Sequence, residues 1–216
     1  QNDYPYESST TKAGREHWDR FAKRTVKRFN LSSNDLVVDI GSNAGVLLSA
    51  FKKHRVRIQG SDPAPNIAKI ANDNDIDTVC DFFNMEAAKK IIGLKGHASI
   101  ITGTNVFAHV DDLHAFVESV RVLLKKDGKF ILEVPHFANL IRNIEYDTIY
   151  HEHLSYISMK PLVKFLKEFD MEVFDVEQVD FHGGSIRAFI GKNSQHAVSE
   201  RVEELLKLEN SLNIYS

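Results

Sequence analysis

Between residues 36 and 134 the chain repeats one unit: a short apolar run, a polar turn, then a stretch with helical spacing. The strand-like runs fall at 36–40, which is nearly all apolar, and at 56–61, 76–80, 98–103 and 129–134, and helical patterns at 44–54, 66–72, 85–92 and 111–126 separate them. Strands that are apolar at nearly every position are covered on both faces, and strands in strict alternation with helices pair in parallel through right-handed crossovers. This pattern predicts an α/β architecture: a mostly parallel open sheet with helices on both faces. A helix at 160–169 and strands at 172–176 and 185–191 follow, the last two joined by a turn containing His182-Gly183-Gly184. They bring the expected sheet to seven strands, closed by an antiparallel strand. An amphipathic helix over 12–29 comes first, with Trp18, Phe21, Ala22, Val26 and Phe29 on one face. Helix 111–126 has Asp111 or Asp112 to cap its start and Gly128 for a left-handed exit.

The turn after the first run narrows the ligand. Asp39-Ile40-Gly41-Ser42-Asn43-Ala44-Gly45 ends a strand and opens a helix, where glycines let the backbone turn sharply and let a ligand approach it. The dinucleotide fingerprint is G-x-G-x-x-G. Here the spacing is G-x-x-x-G, with Ser42 where the second glycine would press on a pyrophosphate. That disfavours NAD and favours S-adenosylmethionine, which carries no phosphate. Asp62 ends the second run about 20 residues on, where an acidic side chain commonly accepts both ribose hydroxyls. Asp81-Phe82-Phe83 follows the third run, where an adenine edge would lie; Phe82 or Phe83 can cover the base, with core packing an equal competitor. Cys80, the single cysteine, excludes an intramolecular disulfide and reads as a buried strand thiol.

Ligands of open α/β sheets bind beyond the carboxyl ends of the strands. Three polar stretches leave the sheet there: Gly103 to His109, which includes Asn105 on the expected cofactor side, Glu133-Val134-Pro135-His136, and Tyr150-His151-Glu152-His153-Leu154-Ser155-Tyr156. The last packs two imidazoles, a carboxylate and two phenols into seven residues, all groups that move protons once their surroundings tune them. His151 and His153 share a face if extended, but no cysteine or carboxylate set completes a zinc site, and no metal is expected. Tyr156 reads mainly as packing beneath the loop.

The formal net charge of -3 gives no electrostatic reason to expect nucleic acid. No apolar run approaches the roughly 20 residues of a membrane span and no signal peptide is visible, so a cytoplasmic protein without a membrane partner is expected.

At these residues the chain resembles the sugar C-methyltransferases of branched deoxysugar biosynthesis, which act on nucleotide-linked 4-keto-deoxysugars. The likeness is carried by Tyr4-Pro5-Tyr6 with Ser8-Ser9, Val38 to Asn43, Asn105 to Leu113, Asp147 to Tyr156, and His182-Gly183-Gly184-Ser185-Ile186-Arg187, in order along nearly the whole chain. The resemblance implies a Rossmann-like class I S-adenosylmethionine-dependent methyltransferase with a nucleotide-linked keto-sugar as partner. It implies His153 as general base, with Tyr150, Glu152 and His109 in the active site. It puts Asp39, Gly41, Ser42, Asn43, Gly45, Asp62, Phe82 and Asn105 at the cofactor, and Tyr4, Tyr6, His182 and Arg187 at the substrate. Two departures stand out: Ala44 where the family usually has an acidic residue, and Asp62 where it mostly has glutamate. The expected organisation is an N-terminal substrate-side segment and helix at 1–30, a cofactor-binding core at 31–192 and a C-terminal helix at 193–216. The chain starts at Gln1 and stops soon after a helical pattern, which reads as a piece of a longer protein. The family carries a zinc module before this region and a Rossmann-like domain after it, and the helix beyond Ser199, with Glu209, reads as the lead-in to the latter. Three other readings share parts of this pattern: an O- or N-methyltransferase on a small metabolite, a non-catalytic module of the same fold, and an NAD-linked sugar oxidoreductase.

Overall fold

The computed structural model describes residues 12–180 and 184–215. In chain order its regular elements are α1 (Lys12–Arg28), β1 (Leu36–Ile40), α2 (Val46–Lys52), β2 (Arg57–Ser61), α3 (Pro65–Asp73), β3 (Thr78–Val79), α4 (Met85–Lys95) and β4 (Ala98–Thr104). Then come α5 (Leu113–Leu123), β5 (Leu124–Pro135), α6 (Phe137–Asn143), α7 (Met159–Lys167), β6 (Met171–Val179), β7 (Ser185–Lys192) and α8 (Glu200–Ser211). Short 3-10 turns occupy Phe107–His109 and Tyr146–Thr148. The strands form a seven-stranded sheet in the order β3-β2-β1-β4-β5-β7-β6. β1, β2 and β3 pair in parallel, and β7 runs antiparallel to both β5 and β6. The seven strands and the antiparallel closure match the sequence pattern.

The chain divides into two compact units. The first runs to Thr102 and takes in Val122–Lys125; the second holds Gly103–Arg121 and the chain from Lys126 onward. In the first unit every residue of β1 is buried, and α1 packs on α2 with Phe21 and Phe51 ring edge to ring face at 6.2 Å. Trp18, Phe21 and Ala22 are buried as their spacing predicts; Val26 and Phe29 are only half-buried, and Thr25 takes the inner position. The second unit is built on the β6–β7 pair, with α7 and α8 both against β6.

Three expectations fail locally. Helix α5 stops at Leu123, and β5 starts at Leu124, so Gly128 lies inside a strand and not at a left-handed helix exit. Val120, Leu123 and Leu124 are all buried, and a buried run of that length satisfies both helix and strand periods. β3 is only two residues long, which leaves Cys80 beyond its end as an exposed free thiol rather than a buried one. Helix α6 has no counterpart among the predicted elements. No helix among the described residues is long and apolar enough to cross a membrane.

Candidate active site

The glycine turn of the first unit is held by backbone geometry. Gly41, Asn43 and Gly45 have φ values of 67, 48 and 79°, so the chain alternates through left-handed conformations before α2 begins at Val46, two residues later than the pattern suggests. Gly41 N donates to the Ser61 carbonyl at 2.8 Å and Gly45 N to the Ser42 carbonyl at 2.9 Å, tying the turn to the end of β2. A Cβ on Gly45 would stand 2.7 Å from the Ile76 Cγ2, so the left-handed conformation and the close approach both require glycine. Gly60 on β2 is equally confined: a Cβ there would meet both Ser42 Oγ and Thr78 Oγ1 at 2.6 Å.

Two acidic side chains lie beside this turn. Asp39, at the end of β1, is 2% exposed and accepts a hydrogen bond from Thr102 Oγ1 at 2.6 Å. Burial pushes its carboxyl up to about 7, against the Thr102 hydrogen bond and with help from the nearby charge of Asp62. Asp62 is buried too. Its Oδ2 accepts from Asn43 N at 2.9 Å and its Oδ1 from Ala64 N at 3.0 Å. Burial raises this carboxyl, and the two backbone hydrogen bonds oppose the rise. Each carboxylate oxygen keeps a second lone pair for a hydroxyl donor.

The residues fit an adenosyl group without phosphates. Ser42 Oγ is buried with no hydrogen-bond partner, a polar atom that a bound polar ligand would satisfy. Phe82 is 69% exposed, so core packing does not claim its ring, and it remains available to cover a base. The stretch from Asp39 to Ala50 contains no lysine or arginine to neutralise a pyrophosphate. In the second unit, Asn105 takes a left-handed conformation (φ 55°), donates its N–H to the Glu133 carbonyl at 2.8 Å and has a buried side-chain Oδ1 with no partner.

The proton-transfer cluster belongs to the second unit. A strap of backbone hydrogen bonds, Leu154 N to the Ala108 carbonyl at 2.7 Å and Ser155 N to the same oxygen at 3.3 Å, ties it to the turn Phe107–His109. His153 Nδ1 lies 2.8 Å from the Thr148 carbonyl and its Nε2 lies 2.9 Å from the Tyr150 hydroxyl. A carbonyl only accepts, so Nδ1 carries a proton; in the neutral imidazole Nε2 then has the lone pair and accepts from Tyr150. The Tyr150 and His153 rings lie 4.1 Å apart. Burial raises the Tyr150 phenol, and the Glu152 and Tyr156 groups add to that. His109 is fixed in the same way: its Nδ1 donates to the Glu152 carbonyl at 2.9 Å, and its ring lies 4.9 Å from that of His153. Burial lowers the His109 pKa first, His153 adds to the lowering, and the Glu152 carbonyl opposes it. His109 is thus held neutral with its free nitrogen an acceptor.

Of the expected site residues, Tyr150, Glu152, His153 and His109 come together in one cluster. Glu152 takes part through its backbone carbonyl, and its side chain is exposed, as is His151. Arg187 is buried on β7 and donates through Nε and Nη2 to Glu133 Oε2 at 2.8 and 2.5 Å, with Glu177 3.9 Å away. What the structure shows for Arg187 is a buried ion pair rather than an open substrate contact. Tyr4, Tyr6 and His182 lie outside the described residues. Sequence reading missed Thr102, whose role depends on β4 meeting β1, and Thr148, which acts through a backbone carbonyl that no residue type signals. Tyr156 was expected to pack beneath the loop, and its hydroxyl donates to the same Thr148 carbonyl at 3.2 Å.

The family model described as "Methyltransferase domain" matches residues 14–176. The chain is 37% identical over 212 residues to the C-methyltransferase NovU of Streptomyces niveus, covering 98% of this chain and 50% of that protein. It therefore spans about half the length of that curated relative. Among solved structures, an S-adenosylmethionine-dependent methyltransferase from Clostridium acetobutylicum superposes with a TM-score of 0.63 at 12% identity, over 83% of this chain and 92% of that one. Another, from Archaeoglobus fulgidus, gives 0.62 at 17% identity, over 83% and 94%. At these identities the structural likeness establishes the fold: that of the class I S-adenosylmethionine-dependent methyltransferases.

Proposed function

The chain belongs to the methyltransferase-domain family, and we propose that it methylates carbon, removing a proton from the position beside the ketone of a nucleotide-linked 4-keto-deoxysugar. The observation that carries this reading is the setting of His153: Nδ1–H is fixed on the Thr148 carbonyl, which leaves Nε2, beside the Tyr150 hydroxyl, as the nitrogen to take a proton. The resemblance to a C-methyltransferase supports it further. Methyl transfer to oxygen or nitrogen starts from an atom that already has a lone pair, whereas transfer to carbon needs a base strong enough and close enough to make an enolate.

S-adenosylmethionine supplies an electrophilic methyl group when bound. In the first unit Asp62 would accept its ribose hydroxyls, Ser42 Oγ would gain a partner and Phe82 would cover the base; in the second unit the unpartnered Asn105 Oδ1 offers a further acceptor. The Tyr150 O–H turns from His153 Nε2 to the ketone oxygen, which frees the single lone pair on Nε2 and supplies a donor where charge develops. His153 Nε2 then takes the proton from the carbon beside the ketone, and the electron pair of that C–H bond delocalises onto the ketone oxygen. His109 is the weaker candidate for that donor, because its proton is committed to the Glu152 carbonyl. The Thr148 carbonyl, facing Nδ1–H, stabilises the imidazolium that forms. The enolate carbon would then take the methyl group that the bound sulfonium supplies, with the methyl–sulfur electron pair staying on sulfur as a neutral thioether, and the proton on His153 leaves to solvent.

The test is His153→Ala. A positioned base contributes typically ~10²–10⁴-fold, so turnover of a nucleotide-linked 4-keto-deoxysugar should fall at least ~100-fold. Calorimetry should find the affinity for S-adenosylmethionine unchanged. Parental turnover in the variant would eliminate His153 as the base.

A further inference from the structure

Glu209 is fully buried on α8, near the end of the described chain, and the chemistry above does not use it. Its Oε1 lies 2.7 Å from His136 Nε2 and accepts from Met159 N at 2.7 Å. Its Oε2 accepts from Lys160 N at 3.3 Å and from the Tyr215 hydroxyl. These partners are not scattered. His136 directly follows β5 and precedes α6, while Met159 and Lys160 open α7. Between them runs the segment 137–158, which carries Tyr150, His153 and the Thr148 carbonyl. One carboxylate therefore grips both feet of the segment that presents the base.

The feet are also joined directly. His136 and Ile157 form an isolated parallel bridge, with Phe137 N donating to the Ile157 carbonyl at 2.9 Å. That backbone link needs His136 and Ile157 at a fixed separation, and Glu209 holds His136 and Met159 together beside it. A buried carboxylate with a histidine, two backbone N–H groups and a phenol around it has its lone pairs met. Burial pushes the Glu209 carboxyl up, but these hydrogen bonds outweigh it and hold it below the ordinary range, as an anion. As an anion it also suits the first turn of α7.

Apart from its feet the segment is lightly anchored. Ala138, Leu140 and Ile157 close to the feet are buried, and Leu154 N and Ser155 N reach the Ala108 carbonyl, but Ile141, Ile144, Tyr146, Ile149 and Leu154 are exposed, so apolar burial holds the feet more than the stretch between them. We propose that Glu209 is a positioning residue for the proton transfer: through it α8 clamps residues 136 and 159–160, and so fixes where segment 137–158 presents Tyr150 and His153. This rests on the reading that His153 is the base. α8 is then part of the catalytic unit, because removing its carboxylate loosens the segment that His136 and Met159 flank.

The experiment compares Glu209→Gln, which keeps shape and removes charge, with the parent protein. Hydrogen–deuterium exchange of residues 137–158 should speed at least ten-fold, while residues 36–62 exchange at the parental rate. Turnover should fall at least ten-fold in kcat, with the S-adenosylmethionine Kd within two-fold of the parent. Should Glu209→Gln fail to fold, His136→Gln severs only the first foot and should loosen residues 137–145 with the same split between kcat and Kd. Parental exchange in segment 137–158 would overturn the proposal. So would faster exchange and weaker cofactor binding spread equally over residues 36–62, which is what simple loss of stability produces. His153→Ala, run alongside, separates the two readings: parental turnover there removes the base assignment and leaves the exchange result standing on its own.

Discussion

Replacing Asp39 by asparagine should stabilise the cofactor-free protein above neutral pH, although it removes a side chain from the heart of the cofactor unit. The Asp39 carboxyl, ordinarily at 3.8, is pushed up to about 7 by burial. Below about pH 4 the group is neutral in both folded and unfolded chains and costs nothing. Between about 4 and 7 the unfolded chain ionises while the folded one keeps its proton, so stability falls as pH rises. Above about 7 both are ionised and the full cost is present. A rise of about 3 units corresponds to roughly 4 kcal/mol. Asparagine carries no charge and escapes that cost, and its Oδ1 can still accept from Thr102 Oγ1. Its amide N–H groups need partners in a site 2% exposed, which returns about 1–3 kcal/mol. The net gain at pH 8 is therefore about 1–3 kcal/mol, or several degrees in Tm for a chain of this size. At pH 4 the gain vanishes or reverses. Thermal and urea unfolding at both pH values measure it, and calorimetry should show weaker binding of S-adenosylmethionine, a cationic ligand, once an anion is removed from the unit expected to hold it. An asparagine variant less stable than the parent at pH 8 would refute the argument that this acid is held at a cost in stability.

Three other outcomes follow from the same geometry. Gly60→Ala places a methyl 2.6 Å from Ser42 Oγ and Thr78 Oγ1, which should cost about 1–3 kcal/mol and weaken cofactor binding; an unchanged Kd would contradict the role given to the turn. Asp35 is buried enough for burial to raise its carboxyl, but hydrogen bonds from Ser99, Ser32 and Lys125 outweigh it and hold the group at about 2. Its folded pKa is depressed, so this contribution, about 2 kcal/mol, is present above about pH 4 and lost as pH falls towards 2; Asp35→Asn should flatten the acid limb of a stability profile. Tyr150→Phe, at a side chain 44% exposed, should leave the melting temperature alone and lower kcat about 10²–10³-fold through loss of the enolate donor.

The strand that carries the cofactor turn was legible because it is apolar at every position but Asp39, and β1 is indeed buried throughout. Asp39 and Asp62 could be placed because they close such runs, and Gly41 and Gly45 because left-handed turns require them. The segment 137–158 has no such period. Its exposed apolar side chains and its polar cluster follow no helix or strand spacing, so α6 and the turn at Tyr146–Thr148 were invisible, though the cluster of proton-moving groups was not. What decides the tautomers of His153 and His109 is a pair of backbone carbonyls, at Thr148 and Glu152. Those contacts depend on how the chain is folded over 43 residues in one case and five in the other, and no residue type announces them. The Glu133–Arg187 pair was hidden for the same reason: β5 and β7 become neighbours only in the sheet.

Deuterium wash-in tests the central claim, that the second unit makes a carbon nucleophile by removing a proton beside a ketone. The protein is incubated in D₂O with a nucleotide-linked 4-keto-deoxysugar and without S-adenosylmethionine, and the sugar is followed by NMR. The account predicts exchange of the proton on the carbon next to the ketone by the parent protein and none by His153→Ala. No exchange by the parent, under conditions where methyl transfer is robust, would contradict a free enolate and with it the role assigned to His153.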